Sequence, residues 1–112
     1  MTRREIRNAV RRGVAVLNKT RPSWVTKINT QRLDLSRCDL CVLGQLYSTP
    51  GDEDGYERGL ELLNGAVQEN PGMYGFSVDE LSGEDYWDVL DEIWRDEIAK
   101  QRAARRRKKA AA

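Results

Sequence analysis

The sequence predicts an all-α fold: a single small domain of about five helices with irregular connections and a long C-terminal helix ending in a basic tail. Three observations carry this. Apolar residues recur every three or four positions near both ends of the chain, capping signals precede those runs, and the one alternating stretch, Leu33-Asp34-Leu35, is short. The boundaries expected are a compact helical domain over 1–100 and an Arg/Lys/Ala tail over 101–112.

A first helix is expected over about 3–19. Thr2-Arg3-Arg4-Glu5 is a capping box, in which the hydroxyl takes an amide hydrogen of the first turn and the carboxylate reaches back. Ile6, Val10, Gly13 and Leu17 share one helical face, while Arg4, Arg7 and Arg11 share another. Thr20-Arg21-Pro22 breaks the pattern, because proline cannot continue a helix. Pro22 to Ile28 then suits a short helical turn with Pro at its first position and Trp24 and Ile28 on one side.

Leu33-Asp34-Leu35 is expected to be extended, and Ser36-Arg37-Cys38-Asp39 to start a helix that Leu40, Leu43, Leu46 and Tyr47 continue. Gly44 weakens that helix or lets another backbone approach. Ser48 to Gly55 reads as a loop, and Tyr56, Leu60 and Leu63 as a helix stopped by Asn64-Gly65. Asn70-Pro71-Gly72 reads as a turn, followed by an extended, core-packing Tyr74-Gly75-Phe76. Ser82-Gly83-Glu84-Asp85 is a further capping candidate. After it, Tyr86, Val89, Leu90 and Ile93 form one stripe and Trp87, Trp94 and Ile98 a second, so half the circumference of the last helix is apolar. Asp91 with Arg95 and Asp96 with Lys100 are favourable i,i+4 pairs. Beyond Ile98 the apolar period stops, and the helix is expected to run on into solvent and fray.

With 112 residues, 39% of them hydrophobic, the chain has material for one core and little for a second. It contains no His, which removes imidazole-dependent triads and the usual imidazole metal sites. No apolar run nears the roughly 18–20 residues a membrane span needs, and Val14-Ala15-Val16-Leu17 is too short for a secretory signal. The chain is therefore expected to begin at Met1, avoid membranes and stay in the cytoplasm. No enzymatic activity and no cofactor are expected.

The net charge of +1 conceals a partition. Residues 1–21 carry +6, residues 52–97 carry −13 and residues 98–112 carry +7. Either the basic ends fold back on an acidic body, or one sign is displayed to a partner. Arg102, Arg105, Arg106, Arg107, Lys108 and Lys109 exceed what a helix C-terminus needs to satisfy its dipole. Such a cationic run binds phosphates by counterion release without reading sequence, and Arg4, Arg7 and Arg11 would add a second contact if the termini lie close. Trp87 and Trp94, within the acidic stretch, and Ile98 just after it are candidate anchors for a protein partner, against the alternative that they are core.

Cys38-Asp39-Leu40-Cys41 is half of a four-thiolate zinc site, so only a dimer could complete it. The same pair could serve thiol chemistry or simply pack as two small hydrophobes. Asp52-Glu53-Asp54-Gly55 with Glu61 imitates a calcium loop, but Pro50 occupies the first ligand position and Arg58 a later one. An acidic helix start is the better account. Gly72-Met73-Tyr74-Gly75 spells the phosphate-clamping GxxG but lacks neighbouring cations.

Arg21-Pro22-Ser23-Trp24 through Ile28, Leu33-Asp34-Leu35, the string Cys38-Asp39-Leu40-Cys41-Val42-Leu43-Gly44-Gln45-Leu46, Tyr74-Gly75-Phe76 and the final Trp-bearing helix together resemble small uncharacterised proteins of actinobacteria and their phages. The resemblance spans roughly residues 14–98 and leaves out the basic ends. It implies a source and a compact domain, and no mechanism. The expected function is that of a non-enzymatic accessory protein, phage-encoded, with an acidic Trp-bearing face for a protein partner and a basic tail for nucleic acid or another polyanion. The alternative is a thiol- or zinc-dependent protein using Cys38 and Cys41.

Overall fold

A computed structural model describes residues 2–51, 54–77 and 85–111, and among them the elements are helices joined by turns, with no strand. Helix α1 covers Arg3–Thr20, α2 Val42–Tyr47, α3 Gly55–Leu62, α4 Gly65–Glu69 and α5 Asp85–Ala111. Two 3-10 turns, Trp24–Thr26 and Pro71–Tyr74, lie between them.

The capping box at the start of α1 forms as its residues dictate: the Glu5 N–H donates to Thr2 Oγ1 at 3.1 Å. The face predicted from spacing is the buried one, with Ala9 and Val14 filling it between Ile6, Val10, Gly13 and Leu17. The helix closes at Arg21, whose N–H reaches Leu17 O at 2.8 Å just before Pro22.

Residues 35–41 depart from the expectation. Leu33 and Leu35 are buried, and from Leu35 to Cys41 the chain is folded into turns rather than a helix. Asp34 is responsible: its N–H reaches Leu40 O, and its Oδ1 accepts both the N–H and the hydroxyl of Ser36. With Ser36 engaged in that turn, α2 starts six residues later, at Val42. Its cap is a thiol: the Gly44 N–H donates to Cys41 Sγ at 3.2 Å. Gly44 lies against the Cys38 carbonyl, where a Cβ would overlap it, so the close approach foreseen for this glycine is real. Gln45 then staples the loop, its amide donating to Asn29 O and Leu40 O while its Oε1 accepts the Asn29 N–H.

Asn64 does more than stop a helix. α3 ends before it, and its Oδ1 accepts the Val67 N–H at 3.1 Å, capping the short α4. Tyr74-Gly75-Phe76 is not extended, because Tyr74 closes a 3-10 turn and Gly75 takes φ 76°. That left-handed conformation, and backbone contact with Val10, leave no room for a side chain at Gly75. The capping signal at Ser82-Gly83-Glu84 lies outside the described residues.

The core gathers around Trp94 of α5. Its ring stacks on Phe76 (5.7 Å between centroids, 23° between planes) and meets Trp24 edge-on at 6.1 Å. Its Nε1–H donates to Gly75 O at 2.6 Å, and the Trp24 Nε1–H donates to Asn18 Oδ1 at 2.9 Å, so both indoles are buried with their polar atoms satisfied. Fully burying one large apolar side chain is worth about 1.5–3 kcal/mol, whereas an exposed ion pair gives about 0–1 kcal/mol. Leu90, Ile93, Trp94 and Ile98, all inside the core, therefore hold α5 in place more firmly than its charges do. Among the described residues no helix is long and apolar enough to cross a membrane.

Candidate polyanion interface

The two basic ends of the chain meet different fates. α1 packs against α5, and that brings the N-terminal arginines onto the acidic middle of α5. Arg3 pairs with Glu92 at 3.1 Å. Arg7 reaches Asp96 at 2.6 Å and Glu97 at 3.0 Å, while Arg11 reaches Glu97 at 3.2 Å. Glu97 is only 4% exposed, and Lys100 joins the cluster from the next turn, completing the predicted pair with Asp96 at 3.3 Å. The hydrogen bond from Arg7 holds the Asp96 carboxyl below its ordinary range, and the same bond raises the Arg7 guanidinium. Arg7 and Arg11, expected to contact nucleic acid, are thus engaged within the molecule. Arg4 is exposed on α1.

The C-terminal cations are held differently. α5 continues unbroken to Ala111. Arg102 lies across residues 25–28, its Nε and Nη2 donating to Val25 O and its Nη2 also to Ile28 O at 2.5 Å. Arg105 donates to Pro22 O at 3.3 Å. Arg106, Arg107, Lys108 and Lys109 are exposed. Among the described residues no carboxylate pairs with any cation between 102 and 109. Backbone carbonyls orient a guanidinium without cancelling its charge, so this end of α5 keeps its positive field.

A trough runs beside these cations. One hollow of about 540 Å³ is lined by Thr26, Arg102, Arg105, Arg106, Lys108 and Lys109. A second, of about 330 Å³, shares Arg102 and Arg106 and adds Arg95, Thr30 and Gln31. Arg95 donates to Thr30 O and, at 2.6 Å, to Leu33 O. Sequence reasoning missed Arg95, Thr26, Thr30 and Gln31. The spacing carried the signal for the arginine, since positions 95, 102, 106 and 109 fall on one helical face.

Of the three residues expected at a protein interface, Trp94 and Ile98 are fully buried in the chain's own core. Leu90 and Ile93 of the other stripe are buried as well, while Tyr86 and Val89 are partly buried, and Trp24 and Phe76 arrive from elsewhere in the chain to pack on Trp94. Of the three, Trp87 alone is half-buried, and it lines a hollow of about 370 Å³ with Cys38, Cys41, Tyr56, Phe76 and Ser77. The two cysteines are free thiols, Cys38 exposed and Cys41 buried. Burial pushes the Cys41 thiol up to about 11, and desolvation with nearby Asp54, Glu57 and Asp39 raises Cys38. Both therefore carry a proton at neutral pH, and Cys41 serves the backbone as the cap of α2. Among the described residues no three metal-ligating side chains gather, so a zinc site here would need ligands from a second copy. Asp54 is the cap of α3, accepting the Glu57 N–H, while Asp52 and Glu53 lie outside the described residues.

Fold and site together define an all-α protein whose last helix carries a cationic end, anchored by its arginines to a neighbouring loop. In comparisons with known proteins, no family model, curated protein or solved structure matched the chain.

Proposed function

We propose that this chain is a non-enzymatic accessory protein that binds nucleic acid through the cationic end of α5. The resemblance over residues 14–98 implies an actinobacterial or phage source, and the place of action we propose is the host cytoplasm. One observation carries the reading. Arg3, Arg7 and Arg11 are paired with Glu92, Asp96 and Glu97, while the cations from Arg102 to Lys109 face no described carboxylate. Phosphate is the ligand such a surface favours, through released counterions and charge-assisted hydrogen bonds.

The test is an electrophoretic shift of labelled DNA, from about 50 to about 300 mM salt, with the wild type and with Arg106, Arg107, Lys108 and Lys109 all changed to Ala. The wild type is expected to bind and to lose affinity steeply with salt. The variant is expected to bind weakly, with its log–log salt slope reduced by about 0.9 for each phosphate that those four side chains neutralise. Absence of salt-sensitive binding by the wild type would remove the proposal.

A second reading is favoured by the hollow at Trp87. A half-buried indole beside Tyr56 and two thiols offers one apolar anchor to a protein partner. In that reading Cys38 contributes contact surface rather than thiolate chemistry, and Cys41 remains the buried cap of α2.

A further inference from the structure

We propose that the trough between α5 and residues 22–31 holds the phosphate backbone of double-stranded nucleic acid without reading its sequence. The inference rests on the nucleic-acid reading above and narrows it to the duplex and to one side of the helix.

Three features of the trough point this way. The first is its length and continuity. The two hollows adjoin at Arg102 and Arg106, and their linings together extend from Arg95 to Lys109, about 21 Å along the helix axis. The second is its preorganisation. Arg95 is tied to the carbonyls of Thr30 and Leu33, and Arg102 to those of Val25 and Ile28, so part of the positive array is already ordered before a ligand arrives. Thr30 and Gln31 place a hydroxyl and an amide beside it, which suit phosphate oxygens, while the Thr26 hydroxyl donates to Ser23 O.

The third feature is what the lining lacks. Among the described residues, no aromatic side chain and no carboxylate lines either hollow. Proteins that hold single strands rely on aromatic rings to stack the exposed bases. A duplex hides its base faces and carries one charge per roughly 1.7 Å of axis, against about 3.4 Å for one strand. A lining with five or more cations, no carboxylate and no stacking ring therefore gains more from a duplex. It has no means of choosing among base sequences, because backbone contacts position a protein without specifying a site.

The run 105–109 contains its own control. Arg107 lines neither hollow, whereas Arg106 and Lys109 line the trough. All three are exposed, so each can be reversed in charge without opening the core.

Fluorescence anisotropy with the full chain tests the proposal, using end-labelled DNA duplexes of about 20 base pairs in two unrelated sequences and oligo-dT of the same length. The duplexes are expected to bind alike, and at least about fivefold tighter than oligo-dT at the same salt. Arg106→Glu and Lys109→Glu are each expected to weaken duplex binding about tenfold, and Arg107→Glu less than about threefold. Circular dichroism confirms that each variant is folded. Equal losses from all three substitutions would overturn the trough. Oligo-dT binding as tightly as the duplexes would overturn the duplex preference while leaving the nucleic-acid reading intact. A tenfold preference between the two duplexes would overturn backbone-only recognition. Binding to none of the probes would remove the nucleic-acid reading itself.

Discussion

Asp91 shows how a single side chain is claimed by competing partners. Its spacing from Arg95 reads as an ion pair, yet its Oδ1 accepts the Leu35 N–H at 2.7 Å, and Arg95 donates to the carbonyls of Thr30 and Leu33. Sequence spacing gives proximity along one helix; it does not reveal the backbone groups of a distant loop that compete for the same charges. Burial outweighs the Leu35 hydrogen bond and holds the Asp91 carboxyl above its ordinary range, with Asp34 and Asp88 adding repulsion and Arg95 opposing them. The folded chain therefore binds this proton more tightly than the unfolded one. The ionised group detracts from stability at neutral pH, and that penalty is relieved as pH falls through the raised pKa toward the ordinary value near 3.9. Asp91→Asn keeps an acceptor oxygen and removes the charge, so urea unfolding at pH 7 is expected to show stability no lower than wild type. Asp91→Ala, which strands the Leu35 N–H, is expected to lose about 1–2 kcal/mol in the same measurement.

At the scale of elements, the helices legible in the sequence are those whose signals are local. The extent of α1 follows from Thr2, its apolar period and Pro22, and the continuation of α5 past Ile98 follows from helix-favouring Ala and Arg. The start of α2 was not legible, because Asp34 takes the groups of Ser36 and a thiol, which is no usual cap former, does the capping. Nor could periodicity tell that Trp94 would be covered, since Trp24 and Phe76 lie far from it in the chain. The same helix divides into a root and a tip. Arg102→Ala removes charge-assisted bonds to two carbonyls and is expected to lower the unfolding free energy by about 1–3 kcal/mol, while Arg107→Ala stays within about 0.5 kcal/mol of wild type. Chemical denaturation of both variants side by side checks the division.

For the whole molecule, the charge partition was plain in the sequence, but which basic end would be neutralised was not. That depends on α1 lying against the acidic part of α5, which charge counting cannot supply. The polyanion site was legible to the same degree: the run from Arg102 to Lys109 stood out, and the loop that completes the trough did not. Deleting residues 106–112 is expected to leave the urea midpoint within experimental error, because no described core residue or ion pair falls among them. Arg7→Gln combined with Arg11→Gln is expected to lower stability by about 1–3 kcal/mol, since the buried Glu97 then keeps only Lys100. Finally, α5 is one unbroken rod, with Trp94 seated in the core about 22 Å along the axis from Lys109. It works as a spacer: with its root wedged among aromatic rings and its shaft tied down by Arg102, the tip keeps a fixed stand-off from the body of the protein.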